Sequence, residues 1–169
     1  MEIIKLIAGY QMRPFDCGDA DLNGFLLNDA KEYAIKELAF TFILENEDEI
    51  VAYYSLLNDK ISKQETDKAS WRKLKKRFPH QKHFNSYPAI KIGRFAVAKA
   101  YEGKGIGRKL MTLIKDRLLR HDSDSAFRFL TVDAYLSAIH FYEKNGFKQM
   151  VADDPNKHTR LMYFDMMGL

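Results

Sequence analysis

Three glycines at alternating positions separate a predicted strand from a predicted helix. They are Gly103, Gly105 and Gly107, in the stretch YEGKGIGRKL. The preceding run, Ala89–Ala98, predicts a strand, and the following residues predict a helix with one apolar stripe that contains Leu110, Leu113, Ile114 and Leu118. Glycines at such a junction let backbone N–H groups approach an anion, which the helix dipole also attracts. The stretch therefore predicts an anion-binding strand–loop–helix unit.

Two familiar phosphate-binding motifs do not match this glycine stretch. The P-loop pattern requires a second glycine five positions after the first, followed by Lys and then Ser or Thr, and no glycine in the chain satisfies it. The dinucleotide pattern G-x-G-x-x-G requires a glycine where the chain has Arg108. Neither a nucleoside triphosphate nor a dinucleotide is therefore favoured as the ligand.

The order of predicted elements indicates an α/β or α+β domain around a mixed sheet, with strand–helix–strand units in the second half. An opening strand is followed by one or two helices, and FTFILENEDEIVAYYSLLN predicts a hairpin around the turn Asn46 to Glu49. A helix that contains FYEKN ends at Gly146, and two strands, FKQMVA and RLMYFDM, close the chain. With 169 residues, one domain over 1–169 is the simplest organisation.

Cysteine content and hydropathy favour a cytoplasmic protein. Cys17 is the single cysteine, so no internal disulfide can form, and its Gly/Asp-rich surroundings favour a structural thiol over a nucleophile. The N-terminus lacks the basic and apolar regions of a signal peptide. No apolar run approaches the roughly 18 residues of a membrane span, so we expect no membrane partner.

The net charge of +4 is concentrated in one segment, residues 60–82. Glu65 and Asp67 are its only carboxylates, against these cations: Lys60, Lys63, Lys68, Arg72, Lys73, Lys75, Lys76, Arg77 and Lys82. Ser70–Arg77 predicts a short amphipathic helix, with Trp71, Leu74 and Phe78 on its apolar side. The segment is compatible with a solvated surface or with a surface that binds an anion such as RNA.

Several motifs together resemble the GNAT family of acetyltransferases over nearly the whole chain. These motifs are the strand IGRFAVA, the glycine stretch, the helix FYEKNGF and the two closing strands. The resemblance implies a mixed sheet of about seven strands flanked by helices, with residues near 60–86 as a basic helical insertion. It implies acetyl-CoA as the acetyl donor and no metal. Glu102 departs from the family, which has Gln or Arg there, so a ligand role for Glu102 is not carried over.

The resemblance also implies roles for particular residues. The backbone amides of Phe95, Ala96 and Val97 would hold the acetyl carbonyl and the pantetheine arm. The pyrophosphate would lie on the turn formed by Gly103, Lys104, Gly105, Ile106, Gly107 and Arg108. Tyr142 matches the general acid of the family, although a core tyrosine is the ordinary alternative on such a helix. Lys144 is either a ligand of the CoA phosphates or a solvated lysine.

No clear general base is present in the sequence. Asp133 and His140 are candidates, although the former can simply end a strand and the latter can lie on the exposed side of its helix. A lysine amine with pKa about 10.4 is almost wholly protonated at pH 7, whereas an α-amine with pKa about 7.7–8.0 is partly neutral. An α-amine acceptor therefore suits an enzyme without a strong base.

The acceptor, and with it the function, is open among three alternatives. The opening FDCGDADLNGFLLNDA resembles the toxin–antitoxin subset of the family, whose members acetylate the α-amine of aminoacyl-tRNA. This resemblance implies tRNA bound through residues 60–82 and a small DNA-binding antitoxin as partners. A protein or small-molecule amine is the broader alternative, and a non-catalytic acetyl-CoA-binding module is the third. The oligomeric state is also open, a homodimer included.

Overall fold

The structure is a computed structural model that describes residues 2–78, 84–120 and 124–168. Its strands are β1 (Glu2–Lys5), β2 (Phe40–Glu45), β3 (Ile50–Ser62), β4 (Ser86–Val97), β5 (Phe129–Tyr135), β6 (Lys148–Gln149) and β7 (Thr159–Asp165). Its α-helices are α1 (Ala20–Gly24), α2 (Ala30–Ile35), α3 (Lys68–Lys75), α4 (Ile106–Arg120) and α5 (Ile139–Lys144). A π-helical segment, Phe25–Asp29, joins α1 to α2. The predicted order of strands and helices is confirmed.

The strands form one mixed seven-stranded sheet in the order β1-β2-β3-β4-β5-β7-β6, which confirms the predicted fold class. β2 and β3 pair as the predicted antiparallel hairpin. The Asn46 side-chain oxygen closes its turn, because it accepts from the backbone N–H groups of Asp48 and Glu49, each at 2.9 Å. No helix in the described ranges has the length and apolar character that a membrane span requires.

Two compact units divide the described chain, so the single domain over 1–169 stays a prediction. The first unit comprises Met1–Leu57 and Ile92–Arg120, and the second comprises Asn58–Lys91 and His121–Leu169. In the first unit, Asp19 caps α1 by accepting from the Leu22 N–H at 2.9 Å. The core of the first unit contains Phe15, Phe25, Leu26, Ile43, Ile50, Tyr53 and Ala96.

The second unit has its own apolar core, which includes the predicted amphipathic helix. Asp67 caps α3 by accepting from the Ser70 N–H at 2.8 Å. Trp71 and Leu74 are buried and Phe78 packs beside them, as the sequence pattern predicts. The remaining core residues are Ile61, Tyr87, Ala89, Phe129 and Met150. Residues 79–83 of the predicted insertion, Lys82 included, lie outside the described residues.

Candidate active site

The glycine loop, residues 102–107, connects β4 to α4 in the first unit through a short 3-10 turn, Lys99–Tyr101. Gly103 and Gly105 have φ values of +71° and +75°, which L side chains rarely adopt. A Cβ atom at either position would meet no heavy atom within 4 Å. Gly107 lies in the first turn of α4 and is not among the residues with positive φ. The loop therefore exposes open backbone directly before a helix N-terminus.

Tyr101 fixes the start of this loop to the turn of the β2–β3 hairpin. Its hydroxyl donates to the Glu49 carboxylate at 3.0 Å and accepts from the Asn46 side-chain amide at 2.8 Å. The hydrogen bond to Glu49 is the main cause that raises the pKa of Tyr101. We call Tyr101, Asn46 and Glu49 the Tyr101 anchor. Sequence reasoning missed it, because Tyr101 lies 55 positions from Asn46 and 52 from Glu49 in the chain.

Lys99 makes a second attachment between the same turn and the N-terminal region. Its backbone N–H donates to the Asp16 carbonyl at 2.9 Å, and its ammonium lies 3.9 Å from the Asp16 carboxylate. One residue earlier, the Ala98 N–H donates to the Val51 carbonyl at 2.9 Å. The entrance to the glycine loop is therefore held by backbone and side-chain hydrogen bonds from two separate segments.

The charges around the loop are mostly positive. Lys104, Arg108 and Lys109 are exposed, and none of them forms an ion pair within the described residues. The Lys104 ammonium lies 5.1 Å from the centroid of the Tyr101 ring. Glu102 is also exposed and does not cancel three cations. Open backbone, a helix N-terminus and surplus positive charge together fit a pyrophosphate group.

The last residues of β4 alternate in burial. Ala96 is buried in the core of the first unit, whereas Phe95 and Val97 are half-buried. At Gly93, a Cβ atom would lie 2.7 Å from a Leu57 methyl carbon, so the glycine permits a close approach to β3. The three residues expected to hold the acetyl and pantetheine groups thus lie directly before the anchored turn.

Tyr142 lies on α5 in the second unit and is almost wholly buried. Its side chain is 6% exposed and packs edge-on against Phe147 at 5.3 Å between ring centroids. Gly146, with φ of +82°, ends the helix as predicted. The Tyr142 hydroxyl makes no hydrogen bond within the described part of the chain, and burial raises the pKa of this phenol. Tyr142 therefore stays protonated throughout the physiological pH range, as a proton donor must.

The two candidate bases have different surroundings. The Asp133 carboxylate accepts from the Lys91 ammonium at 2.9 Å, and the same ammonium lies 3.7 Å from Asp59. His140 is exposed on its helix. Asp133 is therefore already paired with a cation, and among the residues that the structure describes neither side chain has the contacts of a dedicated base.

Cys17 and Lys144 are the remaining residues that the sequence singled out near a possible site. The Cys17 thiol donates to the Asn23 side-chain oxygen at 3.1 Å, and burial raises its pKa, which makes it a weak nucleophile. Lys144 is exposed at the end of α5. Across residues 2–78, 84–120 and 124–168, no cluster of three or more His, Cys, Asp or Glu could hold a metal ion.

Comparison with known proteins adds one family model and several solved structures. The model described as Acetyltransferase (GNAT) family matches residues 10–147. A tyrosine-to-phenylalanine mutant of KacT has a TM-score of 0.78 and 21% identity, over 99% of this chain and 97% of that one. AtaT complexed with acetyl-methionyl-tRNAfMet has a TM-score of 0.73 and 22% identity, over 99% and 96% of the two chains.

A third similar structure is an AtaT mutant toxin bound to acetyl-CoA and to the C-terminus of the antitoxin AtaR. It has a TM-score of 0.69 and 20% identity, over 99% of this chain and 94% of that one. At these identities, the likeness of all three structures to this chain is a likeness of fold.

Proposed function

Because the chain belongs to the GNAT acetyltransferase family and is an acetyl-CoA-dependent N-acetyltransferase, we propose that residues 1–169 act as one domain that acetylates a primary amine by direct attack. The observation that carries this proposal is the glycine loop, where Gly103 and Gly105 expose open backbone beside exposed cations. This arrangement supports the binding of the CoA pyrophosphate by the backbone of residues 103–108. Lys144 is a further candidate ligand of the CoA phosphates.

The end of β4 would hold the reacting part of the donor. We propose that the backbone amides of Phe95, Ala96 and Val97 bind the pantetheine arm and the acetyl carbonyl. A donor hydrogen bond to that carbonyl stabilises the negative charge that develops when the amine attacks. The proposal depends on the backbone, so substitutions of these side chains by others of similar size should be tolerated.

In the chemical step, a neutral amine attacks the thioester carbonyl. The new C–N bond forms, the C–S bond breaks, and the amine loses a proton while the CoA thiolate gains one. We propose that the Tyr142 hydroxyl gives its proton to the departing thiolate, and that the proton lost by the acetylated amine passes through water and restores the tyrosine. The burial of Tyr142 supports this role, because a poorly solvated site also destabilises the thiolate and so raises its demand for a proton.

The acceptor would be an α-amine more readily than a lysine side chain. Asp133 is paired with Lys91, so a base that could deprotonate a lysine ammonium is lacking among the two candidates. An α-amine with pKa about 7.7–8.0 is neutral roughly a tenth of the time at pH 7 and needs no strong base.

Aminoacyl-tRNA is the second candidate acceptor, and two observations favour it. AtaT, a protein of similar fold, is complexed with acetyl-methionyl-tRNAfMet. The second unit of this chain also carries exposed cations on α3 and at the end of β3. If aminoacyl-tRNA is the acceptor, a small DNA-binding antitoxin would be a further partner. A non-catalytic acetyl-CoA-binding module is the remaining alternative.

The release of free CoA thiol tests these proposals. The protein is mixed with acetyl-CoA and, in separate reactions, with an amino acid ester, a lysine peptide whose N-terminus is blocked, and aminoacyl-tRNA. We expect faster thiol release with α-amines than with the lysine peptide. Acetyl-CoA binding without thiol release for any of these amines would instead favour the non-catalytic module.

A further inference from the structure

A polar cavity of about 450 Å³ lies in the second unit. Its lining consists of lysine, amide and hydroxyl side chains from Lys60, Ser62, Lys63, Gln64, Asn85 and Ser86. The first four residues belong to the end of β3 and the turn after it, Asn85 directly precedes β4, and Ser86 begins β4. The Lys63 N–H donates to the Asn85 carbonyl at 2.9 Å and so ties the two walls together. The cavity is therefore built on ordered strand ends.

The cavity carries a surplus of positive charge, with two lysines against the neighbouring carboxylate of Glu65. Lys60 and Lys63 are exposed, and neither forms an ion pair within the described ranges. The nearby Glu65 carboxylate accepts from the Ser62 hydroxyl at 2.8 Å. Two ammonium groups and the neighbouring amide groups can donate hydrogen bonds to the oxygens of a phosphodiester.

An exposed aromatic ring directly precedes one wall of the cavity. Phe84 is 63% exposed and is followed in the chain by Asn85. Its ring centroid lies 6.4 Å from that of Tyr87, so it borders the core of the unit without being covered by it. Aromatic side chains beside a cationic groove are the means by which proteins stack the bases of single-stranded nucleic acids. A phosphate site alone would not need this ring.

One other cation of the segment, Arg77, is less available. The Arg77 guanidinium donates to the Asp165 carboxylate at 2.7 Å, and Arg128 donates to the same carboxylate at 2.6 Å. These two guanidinium groups form ion pairs within the second unit, and the Asp165 carboxylate neutralises part of their charge. The cavity lysines therefore have a better claim to an anionic ligand than Arg77.

We propose that this cavity binds the phosphodiester backbone of single-stranded RNA, with Phe84 stacked on a base. The proposal rests on the aminoacyl-tRNA candidate of the proposed function, since the acceptor end of such an RNA is single-stranded. It deepens that candidate by assigning the contact to Lys60, Lys63 and Phe84.

The test measures the binding of a short, fluorescently labelled single-stranded RNA by anisotropy at several salt concentrations. The pocket variant is Lys60→Gln with Lys63→Gln. The control is Lys148→Gln with Lys157→Gln, which removes the same charge from exposed positions of the same unit. We expect the pocket variant to lose about tenfold in affinity and to shallow the salt slope by roughly 1.4, or about 0.7 for each lost contact, with less change in the control.

A second variant separates stacking from charge. Phe84→Ala should weaken binding about fivefold or more without changing the salt slope, because it removes a base contact and no cation. A duplex made from the same RNA should bind more weakly than the single strand, since its bases are already stacked. An equal affinity for the duplex, or an unchanged affinity in Phe84→Ala, would overturn the stacking part of the proposal.

The remaining outcomes distinguish this site from the reaction. Equal RNA affinity in the pocket variant and the control would show that the cavity is not the RNA site. Absence of RNA binding, with thiol release on a small amine intact, would reject the RNA site and keep the acetyltransferase. RNA binding that depends on Lys60 and Lys63, without thiol release for any amine, would keep the site and reject the reaction. Thermal unfolding of each variant verifies that it is folded.

Discussion

The proposed function of the first unit depends on its backbone, whereas that of the second unit depends on a side chain. In the first unit, the glycine loop presents backbone, and Gly103 and Gly105 would contribute because they have no side chain. In the second unit, Tyr142 would act through one hydroxyl group held in an apolar setting. Changes of backbone conformation should therefore affect the affinity for acetyl-CoA, whereas removal of one oxygen atom should affect turnover. Binding and catalysis would then be separable by mutation.

The largest expected effect tests the side-chain half of this comparison. Tyr142→Phe should lower turnover by about 10²–10⁴-fold, the usual contribution of general acid catalysis, and leave the Kd for acetyl-CoA unchanged. The control is Tyr163→Phe, which removes a hydroxyl from a ring that packs against Phe129 in the same unit. Steady-state thiol release and calorimetry measure the two quantities. Turnover within a few-fold of wild type would make Tyr142 a packing residue.

The backbone half is tested at Gly105. Gly105→Val should raise the Kd for acetyl-CoA about tenfold or more, because a β-branched residue at φ of +75° is strained and moves the loop. Gly24→Ala is the matched control, since its Cβ also enters open space but its φ is −60°. We expect the control to keep its affinity. Undiminished affinity in Gly105→Val would contradict the assignment of the loop.

A smaller effect is expected when the loop keeps its glycines but loses its anchor. Tyr101→Phe removes the hydrogen bonds to Glu49 and Asn46, whose net worth is typically about 1 kcal/mol. We expect the Kd for acetyl-CoA to rise about threefold to fivefold, with turnover at saturating donor unchanged. Tyr33→Phe, at an exposed tyrosine of the same unit, serves as the control. A lower melting temperature without a change in Kd would leave Tyr101 with a structural role alone.

The smallest effect concerns the pH dependence of stability. Burial lowers the pKa of Lys115, on α4, to about 8. The unfolded chain therefore binds more protons than the folded one between about pH 8 and 10.5, and this residue makes stability rise with pH over that range. Lys115→Met should stabilise the protein at pH 7 by on the order of 1 kcal/mol, a value discounted for partial solvation, and by less at pH 10. Urea unfolding at both pH values measures the difference.

The sequence predicted the features that depend on neighbouring residues. The glycine spacing marked the strand–loop–helix unit, and the helical repeat of Trp71 and Leu74 marked the buried side of α3. The Tyr101 anchor and the cavity could not be predicted in this way. The anchor joins Asn46 to Tyr101, and the cavity joins Lys63 to Asn85, so both require knowledge of which strands and turns meet.

The predicted strand near residue 148 differs in extent rather than in place. β6 has only two residues, although Met150 beyond it is buried and its N–H donates to the Leu161 carbonyl at 2.8 Å.

The acceptor was not predictable for a different reason. An amine is recognised by side chains that the family motif does not specify, and the candidates Asp133 and His140 carry no signal that separates a base from a surface group.

The Tyr101 anchor also has a consequence for the kinetics of binding. A loop that is held in place before its ligand arrives needs no conformational search after the encounter. Association should then follow diffusion and the attraction of Lys104, Arg108 and Lys109, so its observed rate should rise linearly with ligand concentration and fall with salt. Release of the loop from Glu49 and Asn46 would insert an ordering step, and the rate would then level off at high concentration. The hydroxyl of Tyr101 would thus decide whether the rate of acetyl-CoA binding is limited by the diffusional encounter or by rearrangement of the loop.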